Sequence, residues 1–273
     1  MKRRRRDLAA WQTPGDIARA ERLESDYLVA EQALQRAGVE HTIVVFGSTR
    51  ISEPALAAAA VEAARAACAA DPDAEEPRLA LRHAERLAHW SQYYDVAREF
   101  GAMVARAAAN PARCRTIIMT GGGPGIMEAA NRGAFEAGAR TAGLNIELPH
   151  EQLPNPYLTP ELRLQFHYFA IRKLHFMLRA KALVALPGGF GTLDELFETL
   201  TLIQTHRMQQ VPVILVGEAY WRRLIDAQFL AAEGMIDAED QDLITYAETA
   251  ADIWRIIIEW YRESGEELFC DGD

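Results

Sequence analysis

Two rhythms of apolar and polar positions alternate along this chain. Nearly unbroken apolar runs at 41–46, 115–120, 141–146, 182–186 and 211–216 read as strands buried on both faces, with weaker candidates at 162–168 and 243–246. Between them, apolar residues recur at helical spacing over 16–37, 54–70, 78–109, 126–138, 169–181, 219–232 and 250–262, and again from Thr192 onward. Glu53-Pro54 opens an alanine-rich helix, Asn110-Pro111 stops another, and the proline-bounded acidic stretch 71–77 reads as a linker. Residues 147–160 carry Pro149, Pro154 and Pro156 and predict a loop. Strands alternating with helices predict an α/β fold, a parallel sheet covered on both faces with ligands at the carboxyl ends of its strands. Residues 1–40 form a basic tail and a helical extension that packs on the core or on a neighbouring subunit. Residues 41–273 form a single domain.

Three strand ends run into small residues. The 41–46 strand meets Gly47-Ser48-Thr49-Arg50, the 115–120 strand meets Gly121-Gly122-Gly123-Pro124-Gly125, and the 182–186 strand meets Pro187-Gly188-Gly189-Phe190-Gly191. A strand, a glycine turn and a helix N-terminus together present outward amide N–H groups and the positive end of a helix dipole, which suits a phosphate. The plainer reading is that the glycines only allow tight turns and close packing, as Ala129, Ala130, Gly133 and Ala134 would let the following helix sit close to the sheet. Neither long turn is a Walker loop, since no Gly-Lys-Ser/Thr follows. GGGPG is not GxGxxG, which argues against a dinucleotide site with Glu147 as its ribose acid.

Composition narrows the field. A net charge of −10 argues against broad nucleic-acid or anionic-membrane binding, because such surfaces are held chiefly by clustered Lys and Arg. MKRRRRD is the strongest charge run, and it reads as a solvated tail, since no apolar core of a signal peptide follows it. No stretch approaches the roughly 20 apolar residues needed to span a bilayer. Cys68, Cys114 and Cys270 show neither ligand nor disulfide spacing, which suits a reducing cytoplasm. The histidines make no HExxH-like metal pattern, so each reads as structural, and no GxSxG nucleophile elbow occurs.

Candidate chemistry centres on two residues. Glu195 reads two ways: Thr192-x-x-Glu195 is a capping box, and it also places a carboxylate beside the glycine turn. Arg172 lies between Phe169 (i−3) and Phe176 (i+4), away from a stripe of Ile171, Leu174, His175 and Leu178, as a solvated arginine or a fixed guanidinium. Glu128 and Asn131 lie a turn apart as ribose contacts or surface residues. Ser48, Thr49 and Arg50 touch a base or phosphate, or simply finish a strand.

Residues 187–195, PGGFGTLDE, match the PGGxGTxxE signature of the LOG family, cytokinin riboside 5′-monophosphate phosphoribohydrolases often labelled lysine decarboxylases. GGGPGIMEAA at 121–130 resembles the second glycine motif of longer bacterial members, and Arg172-Lys173 fits the family's Arg-Lys pair on the helix before the PGG strand. The resemblance covers roughly residues 40 to 232. It implies a Rossmann-like doubly wound sheet and hydrolysis of the N-glycosidic bond of nucleoside 5′-monophosphates, AMP or N6-modified forms, without a cofactor. It also implies a homo-oligomer, dimer or higher, whose small-molecule partner is the nucleoside monophosphate. Arg172 and Glu195 are implied as catalytic. Gly188, Gly189, Gly191 and Thr192 are implied as the phosphate cradle, with Pro187 and Lys173 beside them. Gly47, Ser48, Gly121, Gly122, Gly123, Gly125 and Glu128 complete the implied substrate contacts. Phe169-Ala170-Ile171 stands where the commonest family form has Met-His-Glu, a departure in base recognition. No lysine of a pyridoxal-phosphate decarboxylase can be located. A non-catalytic nucleotide or molybdenum-cofactor carrier resembles the same fold and glycine motifs. A DNA-processing protein of the DprA type would need a basic groove, against the net charge.

Overall fold

The computed structural model describes residues 14–108, 116–147, 153–266 and Leu268. The expectations for the basic run, Asn110-Pro111, Cys114, Pro149, His150 and Cys270 fall outside the described residues.

A seven-stranded sheet, parallel at every pairing, runs in the order β4-β3-β2-β1-β5-β6-β7. Its strands are β1 (His41–Phe46), β2 (Thr116–Thr120), β3 (Thr141–Ile146), β4 (Arg163–Phe166), β5 (Ala180–Ala185), β6 (Val213–Val216) and β7 (Ile244–Ala247). This is the Rossmann-like doubly wound order, and the direction of winding reverses at β1, between β2 and β5. Because strand side chains alternate, β1 sends Ile43 and Val45 into one apolar layer and Val44 and Phe46 into the other. The continuous apolar runs seen in the sequence are those of strands buried on both faces.

The first layer is covered by α4 (Gln92–Ala107), α5 (Ile126–Glu136) and α10 (Ala250–Ser264), which contribute Phe100, Ile126 and Ile257. The second is covered by α1 (Pro14–Arg36), α6 (Phe169–Met177), α7 (Phe190–Gln204) and α8 (Glu218–Trp221), which contribute Leu34, Phe176, Leu196 and Trp221. The helices α2 (Pro54–Ala70) and α3 (Glu75–Trp90) pack on each other, and α9 (Ala227–Ala232) lies beside the 3₁₀ segment Ala238–Leu243. The small residues of α5 serve helix contact as well as sheet contact. A Cβ on Gly133 would lie 1.7 Å from the Arg98 carbonyl oxygen of α4, so the two backbones nearly touch.

Several elements depart from the periodicity reading. The 78–109 stretch is two helices divided at Ser91, whose hydroxyl donates to the Ala88 carbonyl (2.7 Å) where a continuing helix would use backbone N–H groups. The linker is shorter than 71–77, because Glu75, Glu76 and Pro77 form the first turn of α3, where a proline loses no helical hydrogen bond. The 219–232 stretch is also two short helices, the second capped by Asp226, which accepts from the Phe229 N–H (2.9 Å). The 169–181 helix ends at Met177, and Ala180 already pairs with Thr42 of β1. The proposed stripe on that helix is not a buried face. Leu174 and Leu178 are exposed, while His175, Phe176 and Met177 turn to the core. Finally, α7 begins at Phe190 with Gly189 as its N-cap, not at Thr192.

Among the described residues no helix is long and apolar enough to cross a membrane.

Candidate active site

The carboxyl ends of β1, β2 and β5 meet where the winding reverses, and their turns are tied together by backbone bonds. Ser48 N–H donates to the Pro187 carbonyl (2.9 Å), and the Ser48 carbonyl accepts from Ile126 N–H (3.1 Å) at the start of α5. The Gly47-Ser48 turn therefore joins the PGG turn to the GGG turn. A cleft of about 510 Å³ opens over this junction, a volume that suits a small organic ligand.

One wall is the N-terminus of α7. Its first helical bond runs from Leu193 N–H to the Gly189 carbonyl (3.1 Å), so the N–H groups of Phe190, Gly191 and Thr192 have no partner within the helix. They carry the positive end of the helix dipole, and no acidic residue sits in the first turn to neutralise it. No heavy atom comes within 4 Å of where a Cβ would stand on Gly189 or Gly191, and both glycines line the cleft. That leaves open space above a row of donors, the arrangement an anion needs.

Glu195 stands one turn further along α7. Helical side chains lean toward the N-terminus, which brings its carboxylate back over the Gly191-Thr192 turn. With the N-cap at Gly189, Thr192 occupies the third helical position and the Thr192-x-x-Glu195 capping box does not form. The Glu195 side chain is buried, lines the cleft, and has an oxygen, Oε2, without a hydrogen-bond partner among the described residues. Burial pushes its pKa up to about 7, and the nearby charges of Arg172 and Lys173 hold it back from rising further.

Arg172 enters from the first turn of α6. Its guanidinium lies between the rings of Phe169 (5.5 Å) and Phe176 (5.3 Å), and its Nε is buried without a partner. Burial lowers its pKa from the usual arginine value, opposed by the charges of Glu195 and Asp194. Gly121 leaves it room, since a side chain there would begin 3.3 Å from Nη2 of Arg172.

The structure thus brings Arg172, Glu195, Gly47, Ser48, Gly121, Gly123, Gly189, Gly191 and Thr192 to one cleft, with Thr49 and Arg50 on its rim. The other sequence candidates lie behind its wall. Gly122 and Gly125 have positive φ and pack against Asn145 and the Ser48 carbonyl. Pro187 and Gly188 take part through their carbonyls, the latter accepting from the Tyr220 hydroxyl. Lys173 ion-pairs with Asp194 and Glu198 of α7 at 2.9 Å each, and Glu128 accepts from the Tyr94 hydroxyl (3.3 Å). Asn131 is fully buried beneath the GGG turn. Its Oδ1 accepts from Thr120 Oγ1 (2.7 Å) and Asn155 Nδ2 (3.0 Å), and Asn155 also donates to the Gly123 carbonyl (3.1 Å).

Sequence reasoning missed the apolar side of the cleft, made by Phe46, Met127, Ile146, Phe169 and Phe190, and the polar Asn145 at the end of β3. Asn145 carried a usable signal, a polar residue at the carboxyl end of a buried strand. Phe190, 90% exposed on the rim, carried none beyond being a bulky residue inside a glycine turn.

A protein-family model described as "Possible lysine decarboxylase" matches residues 127–257. The chain is similar to a probable cytokinin riboside 5′-monophosphate phosphoribohydrolase, LOGL5 of Oryza sativa subsp. japonica, at 30% identity over 141 residues, covering 50% of this chain and 56% of that protein. LOGL1 of the same organism is 35% identical over 99 residues, 36% of this chain and 44% of that protein. The matches therefore span only about half the length of these relatives. Among solved structures, a molybdenum cofactor carrier protein from Chlamydomonas reinhardtii aligns at 20% identity with a TM-score of 0.45, covering 82% of this chain and 99% of that one.

Proposed function

We propose that this chain is a member of the LOG family, a reading supported by the family-model match and by its similarity to the plant phosphoribohydrolases, and that it hydrolyses the N-glycosidic bond of nucleoside 5′-monophosphates. The products are a free base and ribose 5-phosphate, and the substrates are AMP and its N6-modified, cytokinin-type relatives. The observation that carries the proposal is Glu195, a carboxylate kept inside the cleft with an oxygen unpartnered among the described residues, beside a row of helix N-terminal N–H donors that have no partner within the helix. Holding it ionised there costs about 3 kcal/mol, from a pKa of about 7 against an ordinary 4.5. Among the described residues no cap or ion pair uses that free oxygen.

In this reading the 5′-phosphate lies on the N–H groups of Phe190, Gly191 and Thr192, and the sugar extends toward Glu195. Loss of the base leaves an oxocarbenium-like ribose, and the Glu195 carboxylate stabilises that positive charge and takes a proton from the attacking water. The Arg172 guanidinium, aromatic on both sides, assists departure of the base by donating to it or by balancing the charge of the phosphate. Phe169, Phe190 and Ile146 offer an apolar face for the base. Among the described residues a decarboxylase reading finds no free lysine. Lys173 is ion-paired twice, and Lys181 lies over the Tyr261 ring at the amino end of β5.

The same reading includes a homo-oligomer. Phe190 and Phe197 on α7, with Leu174 and Leu178 on α6, leave apolar surface beside the cleft that a second copy would cover.

The test is purified protein with AMP and with N6-isopentenyladenosine monophosphate, reading released base by chromatography, with Glu195→Gln alongside. Release by the wild type and not by the folded variant supports the hydrolase. No release, together with an AMP-dependent rise in melting temperature, sinks it in favour of a nucleotide carrier.

A further inference from the structure

The helix α1 lies wholly outside the matched segment 127–257 and outside both glycine motifs, yet it grips the helix that carries Arg172. Asp26, on α1, is only 5% exposed, and its carboxylate accepts three hydrogen bonds. They come from the backbone N–H of His167 (2.8 Å), the backbone N–H of Tyr168 (3.0 Å) and the His167 ring at Nδ1 (2.8 Å). Tyr168 is the N-cap of α6, so Asp26 fixes the place where that helix begins and adds negative charge at the positive end of its dipole. Arg22 of α1 reaches the Tyr168 hydroxyl (3.1 Å). Past the other end of α6, Arg179 forks onto Glu31 of α1, with Nη1 2.9 Å from Oε2.

We propose that Asp26 is a positioning residue for Arg172, and that α1 serves the reaction by setting the register and tilt of α6. The proposal rests on the phosphoribohydrolase reading. Arg172 lies in the first turn of α6, and its N–H donates to the Tyr168 carbonyl (3.2 Å), so its backbone is placed through the residue that Asp26 holds. Its guanidinium has aromatic rings on either side and a buried, unpartnered Nε, and no carboxylate within ion-pairing distance fixes it among the described residues. Its aim therefore depends on the backbone more than on a side-chain partner. Small shifts in such a geometry are costly to a reaction that depends on orientation.

The experiment compares AMP turnover by the wild type, Asp26→Ala, Asp26→Asn, Arg172→Ala and the double variant Asp26→Ala/Arg172→Ala. Thr249→Ala, which removes the N-cap of α10, is the control for lost stability alone. Asp26→Ala is expected to lower kcat about tenfold with KM within about threefold, Asp26→Asn to recover part of the loss, and Thr249→Ala to lower Tm without changing kcat. In the Arg172→Ala background the effect of Asp26→Ala should shrink to less than about twofold. An equal loss in both backgrounds, or an unchanged kcat in Asp26→Ala, overturns the proposal. A second readout does not depend on turnover: amide hydrogen exchange at Arg172 and Lys173 should quicken about tenfold or more in Asp26→Ala and stay unchanged in Thr249→Ala. If the wild type releases no base, the phosphoribohydrolase reading fails by itself. Unchanged exchange would then dispose of the positioning role too, and quickened exchange would uphold it.

Discussion

The two long glycine turns look alike in the sequence and behave differently in the fold. The PGG turn opens onto the cleft. Gly189 and Gly191 have empty space where a side chain would stand and ordinary negative φ, so the fold does not require glycine at either position. The GGG turn is packed. Gly122 and Gly125 have φ of 73°, and a Cβ on Gly125 would stand 2.4 Å from the Ser48 carbonyl oxygen. Beneath it, Thr120, Asn131 and Asn155 bind one another and the turn's backbone in a buried network. The plainer reading of glycine, tight turns and close packing, therefore describes most of one turn. In the other, Gly188 is packed too, since a Cβ there would stand 2.1 Å from Oγ1 of Thr192, but Gly189 and Gly191 serve no packing need and leave open space beside the helix N-terminal donors. The lesson is that a glycine's role is read from what would collide with a Cβ, which no motif records.

The largest effect expected on the open side is at Glu195. Glu195→Gln should lower kcat by about 10²- to 10⁴-fold, the usual range for an acid–base group, measured as AMP hydrolysis near neutral pH. The wild-type rate should rise with pH through a midpoint near the carboxyl pKa of about 7, because the ionised form does the work. The same substitution should make the fold more stable in mild alkali. With a folded pKa of about 7 against an ordinary 4.5, the native state holds the proton that the unfolded chain releases. Wild-type stability is therefore fully present below pH ~4.5 and falls by about 3 kcal/mol as pH rises through ~7. Urea unfolding of the two proteins at pH 5 and pH 8 checks this, and equal pH dependence would show that the carboxylate is not desolvated.

On the packed side, Gly125→Ala should cost about 3 kcal/mol or more, since it imposes both positive φ and a backbone collision. A denaturation midpoint like the wild type's would erase the distinction between the turns. Asn155→Ala should cost about 1–3 kcal/mol by stranding the Gly123 carbonyl and removing one of the two donors to Asn131 Oδ1. The smallest effect on stability is expected at Gly191, the second residue of α7, where alanine should be neutral or stabilising by up to about 1 kcal/mol. AMP affinity, read by calorimetry, should nevertheless fall, because the new methyl occupies the space above the donors. Unchanged affinity would move the phosphate elsewhere in the cleft.

Much of this protein was already legible along the chain. Apolar runs broken by glycine marked the strands, because a strand buried on both faces must be apolar throughout, and their alternation with helical stretches predicted the parallel α/β sheet. Arg172 between Phe169 and Phe176 followed from helical spacing alone. Helix boundaries were less legible at Ser91 and Asp226, where one polar side chain bonding its own backbone outweighs the apolar period. Other features depended on where distant segments meet. The spacing of Thr192 and Glu195 fits a cap equally well, but the fold starts the helix at Phe190 with Gly189 as its N-cap, which leaves Glu195 out of any cap and buried. Asp26 was an ordinary polar residue in an N-terminal helix until the fold set it against the start of α6. Spacing within a segment specifies which face a residue occupies. What that face meets, and whether a buried polar atom finds a partner there, is decided only when the segments pack.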